Sequence, residues 1–137
     1  MADGADLETA RAAVLFATLP RTVADPILQR SLTKTFKRGE TIFCQGDVSQ
    51  NIYVVLDGWV KLFRITPTGA EAVVGVFTKG RSFGEAVAFE NMPYPVTAEA
   101  VTDTRLLLVR TALLTTLMRD QPEIAMAILS STFRHLH

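Results

Sequence analysis

The chain has 137 residues, 48% of them apolar, with 14 basic residues balanced by 14 acidic ones. That length suits one domain with a real hydrophobic core, and the even charge gives no net field that would draw the chain as a whole to nucleic acid or an anionic membrane. A single cysteine, Cys44, excludes an intrachain disulfide, a four-cysteine zinc site and an all-cysteine iron–sulfur cluster supplied by this chain.

The first residues, MADGADLETARAAV, carry acids where a secretion signal needs positive charge. No apolar run approaches the ~20 residues needed to cross a bilayer. The expectation is a cytoplasmic protein that does not enter membranes. Apolar residues at Leu7, Ala10, Val14, Leu15 and Leu19 recur at helical spacing, so a helix is predicted over 7–19, stopped by Pro20. A second short helix is predicted from Pro26 to about Leu32, with Asp25 as N-cap and Pro26 in the first helical position.

From Thr33 the pattern changes. Seven of the eight glycines lie between positions 39 and 84, which suits tight turns between short strands. Strands are predicted at 33–37, 40–44, 52–56, 59–65, 71–77, 97–101 and 105–110. Pro67-Thr68-Gly69 reads as a hairpin turn. The Ile52–Leu56 run is apolar throughout, and Trp59–Ile65 has no purely polar face, so neither strand reveals its inward side. Cys44 lies in a β-prone run with no activating histidine nearby and is expected to be a buried structural thiol.

Two helices are predicted to close the chain. Thr111 is a plausible cap for 112–118, and a last helix begins at Asp120 or Gln121 with Pro122 and Glu123 in its first turn. That helix has one apolar stripe through Ile124, Ile128 and Ser131 and another through Ala125, Leu129 and Leu136. One stripe should pack on the β-shell and the other should meet a partner helix. The chain stops at His137 inside this pattern, so the helix is expected to continue.

One segment could carry chemistry. Phe83-Gly84-Glu85-Ala86 breaks the β pattern and leads a short apolar run that makes one helical turn. Backbone N–H groups after such a glycine can cradle an anion, and the carboxylate of Glu85 can accept hydrogen bonds from a sugar diol. The plainer reading is a turn glycine followed by an acid favoured at a helix start. No catalytic triad or metal-ligand cluster is readable: the two histidines, His135 and His137, lie two apart and do not share a helix face.

Arg38-Gly39-Glu40, Ile42-Phe43, Gly46-Asp47, Ile52-Tyr53-Val54-Val55, Gly58 and Val60-Lys61-Leu62, followed by Gly80 and Phe83-Gly84-Glu85, resemble the cyclic-nucleotide-binding domain. Within that family the chain is most similar to the sensor domain of bacterial CRP/FNR-type transcription regulators. The resemblance implies a mainly β fold with flanking helices, a double-stranded β-helix or jelly roll. Residues 1–32 would be an N-terminal helical segment, 33–110 the jelly roll, and 111–137 the C-terminal helices. It implies a non-enzymatic homodimer that pairs through the last helix and reaches DNA only through a helix-turn-helix domain beyond His137. The ligand-binding residues would be Phe83, Gly84, Glu85 and Ala86, closed by Val96, Thr97 and Ala98. Arg134 and His135 are the candidates for a polar group presented by the last helix. In cyclic-AMP-binding members an arginine precedes a Ser/Thr-Ala pair; here Pro95-Val96 precedes Thr97-Ala98. Losing such a buried charge partner costs roughly 2–5 kcal/mol, which argues against tight cyclic-AMP binding and leaves the effector unknown. The 83–89 stretch is also similar to that of nitric-oxide-responsive, haem-dependent regulators. A cyclic-nucleotide-binding module of a kinase or channel is the alternative from another class.

Overall fold

The β-prone runs pair into antiparallel ladders, and these ladders set the architecture. The computed structural model describes residues 3–134. Eight strands form, Leu32–Phe36 (β1), Thr41–Phe43 (β2), Asn51–Asp57 (β3), Val60–Ile65 (β4), Glu71–Phe77 (β5), Ser82–Phe83 (β6), Thr97–Ala100 (β7) and Thr104–Arg110 (β8). One sheet has the order β1-β8-β3-β6 and the other β2-β7-β4-β5. The two sheets form the jelly roll that the resemblance implied. Each strand expected from sequence is present within two residues of its predicted ends. The two-residue β6 was not foreseen, because Ser82-Phe83 is too short to show a period.

Among the described residues five helices flank the roll: Gly4–Arg11 (α1), Arg21–Gln29 (α2), Glu85–Phe89 (α3), Thr111–Asp120 (α4) and Pro122–Arg134 (α5). None is long and apolar enough to cross a membrane. The first predicted helix is corrected: α1 ends at Arg11, and residues 12–19 are consecutive turns, with hydrogen bonds such as Phe16 N to Ala13 O and Leu19 N to Phe16 O. Burial decides this, since the turns seat Ala13, Leu15, Phe16 and Leu19 in the core together. The second helix is corrected too. It starts at Arg21 behind Pro20, and Pro26 lies inside it. A proline there leaves the carbonyl four residues back without its helical donor. That residue is Thr22, which is exposed, so water can serve it. Asp25 caps nothing; its carboxylate accepts from Arg11 Nε at 2.7 Å. Thr111 begins α4 but does not cap it, and Cys44 is exposed just beyond the end of β2 rather than buried.

β3 ties the parts together. Ile52, Val54 and Leu56 face the helices, in one cluster with Leu15, Phe16, Ile27, Leu28, Leu107, Leu114, Ile124 and Ile128. Tyr53 and Val55 face the space between the sheets, with Phe43, Val60, Phe83, Tyr94, Val96, Ala98 and Leu106. Both faces of the strand are covered, which is why its sequence is apolar without alternation. Burying each such aliphatic side chain is worth about 1.5–3 kcal/mol. Polar contacts then hold the helical layer in place. Arg105 Nη1 donates to the buried Asp6 at 2.6 Å, tying α1 to β8. Thr18 Oγ1 donates to Ala127 O at 3.0 Å, and Ser131 Oγ donates to Val14 O, seating α5 on the 12–19 turns.

The turn between β3 and β4 gives a test. Gly58 has φ +94°, and a Cβ there would lie 2.6 Å from Asp103 O and 2.8 Å from Thr104 Cα. Gly69, in the β4–β5 hairpin, has φ +88° but open space around it. Gly69→Ala should therefore cost only the left-handed backbone strain, about 1–2 kcal/mol. Gly58→Ala adds a clash with backbone and should cost at least about 3 kcal/mol. Urea unfolding of both variants checks this; equal losses would contradict it.

Candidate functional site

The cassette 83–86 begins where β6 leaves the sheet. Phe83 is buried between the sheets, and Gly84 turns the chain with φ +92° into α3. A Cβ at Gly84 would meet Asn51 O, Tyr53 and Tyr94 only at 3.5–3.9 Å. The backbone angle rather than lack of space therefore favours glycine here. Glu85 is half-buried at the start of α3. Ser82 Oγ donates to its Oε2 at 2.9 Å. Burial pushes the Glu85 carboxyl above its ordinary range, and the Ser82 bond, its own backbone N–H and the charge of Arg81 only partly offset that shift. Ala86 is exposed.

The predicted closing wall divides by strand alternation. Val96 and Ala98 are buried in the same cluster as Phe83. Thr97, on the other side of β7, is half-buried, and its Oγ1 accepts from Gln45 N at 3.0 Å. The structure therefore brings Phe83, Val96 and Ala98 together, with Gly84 and Glu85 at the edge of that cluster. Arg134 is exposed at the end of α5, and His135 lies outside the described residues.

Aromatic rings fill the space behind the cassette. Phe43 stacks on Tyr94 with centroids 3.6 Å apart, and Tyr53 stacks on Phe83 at 5.1 Å. Phe77 packs against Phe83 at 5.4 Å. Tyr94 is the residue sequence reasoning missed. Its hydroxyl donates to Asn51 O at 3.0 Å, and its backbone is bonded to Gly46 and Asp47. The available signal was its position between Pro93 and Pro95, which restrict the backbone on both sides. Ser82 was also missed, although it lies three residues before the acid it serves. Burial raises the Tyr53 hydroxyl's pKa, so it stays protonated.

The cassette end of the roll has one half-buried acid, Glu85, and no fully buried cation among the described residues. The buried polar residues are Asp6, Ser31, Thr104 and Ser131, with no lysine or arginine among the described buried residues. Arg81, the basic residue nearest the cassette in sequence, is exposed and lies over the Phe77 ring at 5.7 Å. Among the described residues no group of three or more His, Cys, Asp or Glu side chains is placed to hold a metal ion. Among the described residues the site can therefore offer the Glu85 carboxylate but no enclosed positive charge.

The cyclic nucleotide-binding domain family matches residues 33–121. The chain is 28% identical over 127 residues to a CRP-like cAMP-activated global transcriptional regulator of Mycobacterium tuberculosis, covering 93% of this chain and 56% of that one. It thus spans little more than half the length of that relative. A crystal structure of a candidate cyclic nucleotide binding protein from Ruegeria pomeroyi DSS-3 superposes with a TM-score of 0.92 at 51% identity, over 100% of this chain and 61% of that one. The sensor domain of the transcriptional regulator DNR from Pseudomonas aeruginosa superposes with a TM-score of 0.81 at 27% identity, over 95% of this chain and 87% of that one. With the jelly roll, the glycine turns and the 83–86 cassette in place, the chain belongs to the cyclic nucleotide-binding domain family and is homologous to the CRP-like bacterial transcription regulators.

Proposed function

We propose that this chain is the effector-sensing domain of a CRP/FNR-type transcription regulator, with residues 1–137 forming one sensor unit. It acts in the cytoplasm without catalysing a reaction. It pairs as a homodimer through α5, and a DNA-binding domain follows beyond residue 137. An effector taken up at the cassette end of the roll shifts α3 and β3, and through them the seat of α5. This is a ligand biasing a two-state element by its differential affinity for the two states.

The single observation that carries the effector reading is the charge of the roll. Glu85 is half-buried with a raised pKa, and no lysine or arginine is among the described buried residues. A cyclic phosphate held there would rely on backbone N–H groups alone. The missing charge-assisted contact is worth roughly 2–5 kcal/mol, or about 30- to 4000-fold in affinity. An effector with hydroxyl groups for the half-buried carboxylate of Glu85 suits the site better. Calorimetric titration of the chain with cyclic AMP and cyclic GMP should therefore detect no micromolar binding. Micromolar binding of either nucleotide would overturn this reading of the effector.

The dimer reading rests on the outer face of α5. Met126, Leu129 and Phe133 are 62%, 50% and 60% exposed, and their i, i+3, i+7 spacing makes one apolar stripe. The opposite stripe, Ile124, Ile128 and Ser131, is already buried against the roll and the 12–19 turns. Light scattering after size exclusion should find a dimer for the wild-type chain and a folded monomer for Leu129→Glu. A monomeric wild-type chain, or a Leu129→Glu dimer, would contradict α5 as the pairing surface.

A further inference from the structure

The acid of the cassette has a side-chain partner in the strand before it. Ser82 begins β6, and Glu85 begins α3 three residues later. Gly84, with φ +92°, turns the chain between them. The turn folds the two side chains onto each other, so that Ser82 Oγ donates to Glu85 Oε2 at 2.9 Å. Both residues are half-buried, and a hydrogen bond away from bulk water is electrostatically stronger than one at the surface. The backbone of Ser82 pairs with Val54 of β3. The donor is therefore tied to β3 while the acceptor sits on α3.

The charge on Glu85 has few other supports. Burial disfavours the ionised form, and it outweighs the three groups that favour that form. Of those three Ser82 weighs most, followed by the Glu85 backbone N–H and then by the exposed Arg81. The strand β3 and the helix α4 pack against α3. Their ionisable residues are Tyr53, Asp57, Arg119 and Asp120, and none of these is among the groups that shift the carboxyl. The Ser82 bond is also charge-assisted, a class roughly twice as strong as bonds between neutral groups.

A carboxylate has about four acceptor positions. Ser82 and the Glu85 N–H engage it from the protein side, which leaves room for two hydroxyls of a guest. We propose that Ser82 is the positioning residue of the effector site: its hydroxyl pins the Glu85 carboxylate in one orientation and keeps it an acceptor for a pair of effector hydroxyls. Without that hydroxyl the acid rotates more freely and takes up a proton more readily. A protonated acid spends one oxygen as a donor and meets a diol less well. This role rests on the reading above that hydroxyls of the effector meet Glu85.

The test is an NMR titration of the ¹³C-labelled chain against pH, following the Glu85 carboxyl carbon, with Glu85→Gln to assign its signal. In the wild-type chain the Ser82 Cβ signal should titrate with the same midpoint as Glu85. Ser82→Ala should move the Glu85 midpoint upward. Ser82→Thr, which keeps a hydroxyl there, should return it to the wild-type position. A Ser82 signal that ignores the Glu85 titration, an unmoved midpoint in Ser82→Ala, or equal upward shifts in both variants would overturn the proposal. The wild-type readout does not depend on how well the variants fold. No effector is present in these titrations, so they can fail while the effector reading stands. Micromolar cyclic-nucleotide binding would overturn that reading and leave the Ser82 result untouched.

Discussion

Everything in this domain hangs on one strand buried on both faces. β3 gives Ile52, Val54 and Leu56 to the helical layer and Tyr53 and Val55 to the interior of the roll. It pairs with β8 along nearly its whole length and with β6 at its centre. Because β6 runs directly into Gly84, the cassette is anchored to the strand that also supports α5 through the helical cluster. Protein interiors are close-packed and transmit displacement rather than absorb it. Phe83 stacks on Tyr53, so the cassette end of the roll and β3 are in direct contact.

Among the described residues no lysine or arginine is fully buried. Inside the roll are stacked aromatic rings and the tyrosine hydroxyls of Tyr53 and Tyr94, with Glu85 half-buried at the edge. An enclosed carboxylate is expensive unless it is bonded, and Glu85 has one hydroxyl donor and its own N–H as partners. Hydroxyl groups of a ligand would complete those bonds. The family likeness and the chemistry of this particular site are thus separate matters: the fold is shared, while the charges inside it are this chain's own.

Much of this was legible in the sequence because turns and strands are local. The glycines at 39, 46, 58, 69, 80 and 84 all adopt positive φ, and the strands fall between them as read. What tertiary packing decides was not legible. The apolar spacing over 7–19 is helical, yet the core takes Leu15 and Phe16 from turns. Pro26 reads as a helix start but sits inside α2, where an exposed carbonyl tolerates it. The inward face of β4 was ambiguous because burial falls at Val60 and Phe63, three residues apart, while the pairing with β5 slips between Leu62 and Phe63. Within the site, Phe83, Gly84 and Glu85 were recognisable as a motif. Tyr94 was not, since its role arises from contacts with Phe43 and Asn51, each more than 40 positions away in the chain.

Among the described residues the roll has no buried lysine or arginine to meet a cyclic phosphate. Val96 directly precedes Thr97-Ala98, where the resemblance puts the arginine of cyclic-AMP-binding members, and it is buried in the same cluster as Phe83. The most direct measurement is the cyclic-AMP affinity of Val96→Arg beside that of the wild-type chain. The account predicts that the folded variant binds at least tenfold more tightly. Equal affinity in the two proteins, or tighter binding by the wild type, would contradict it.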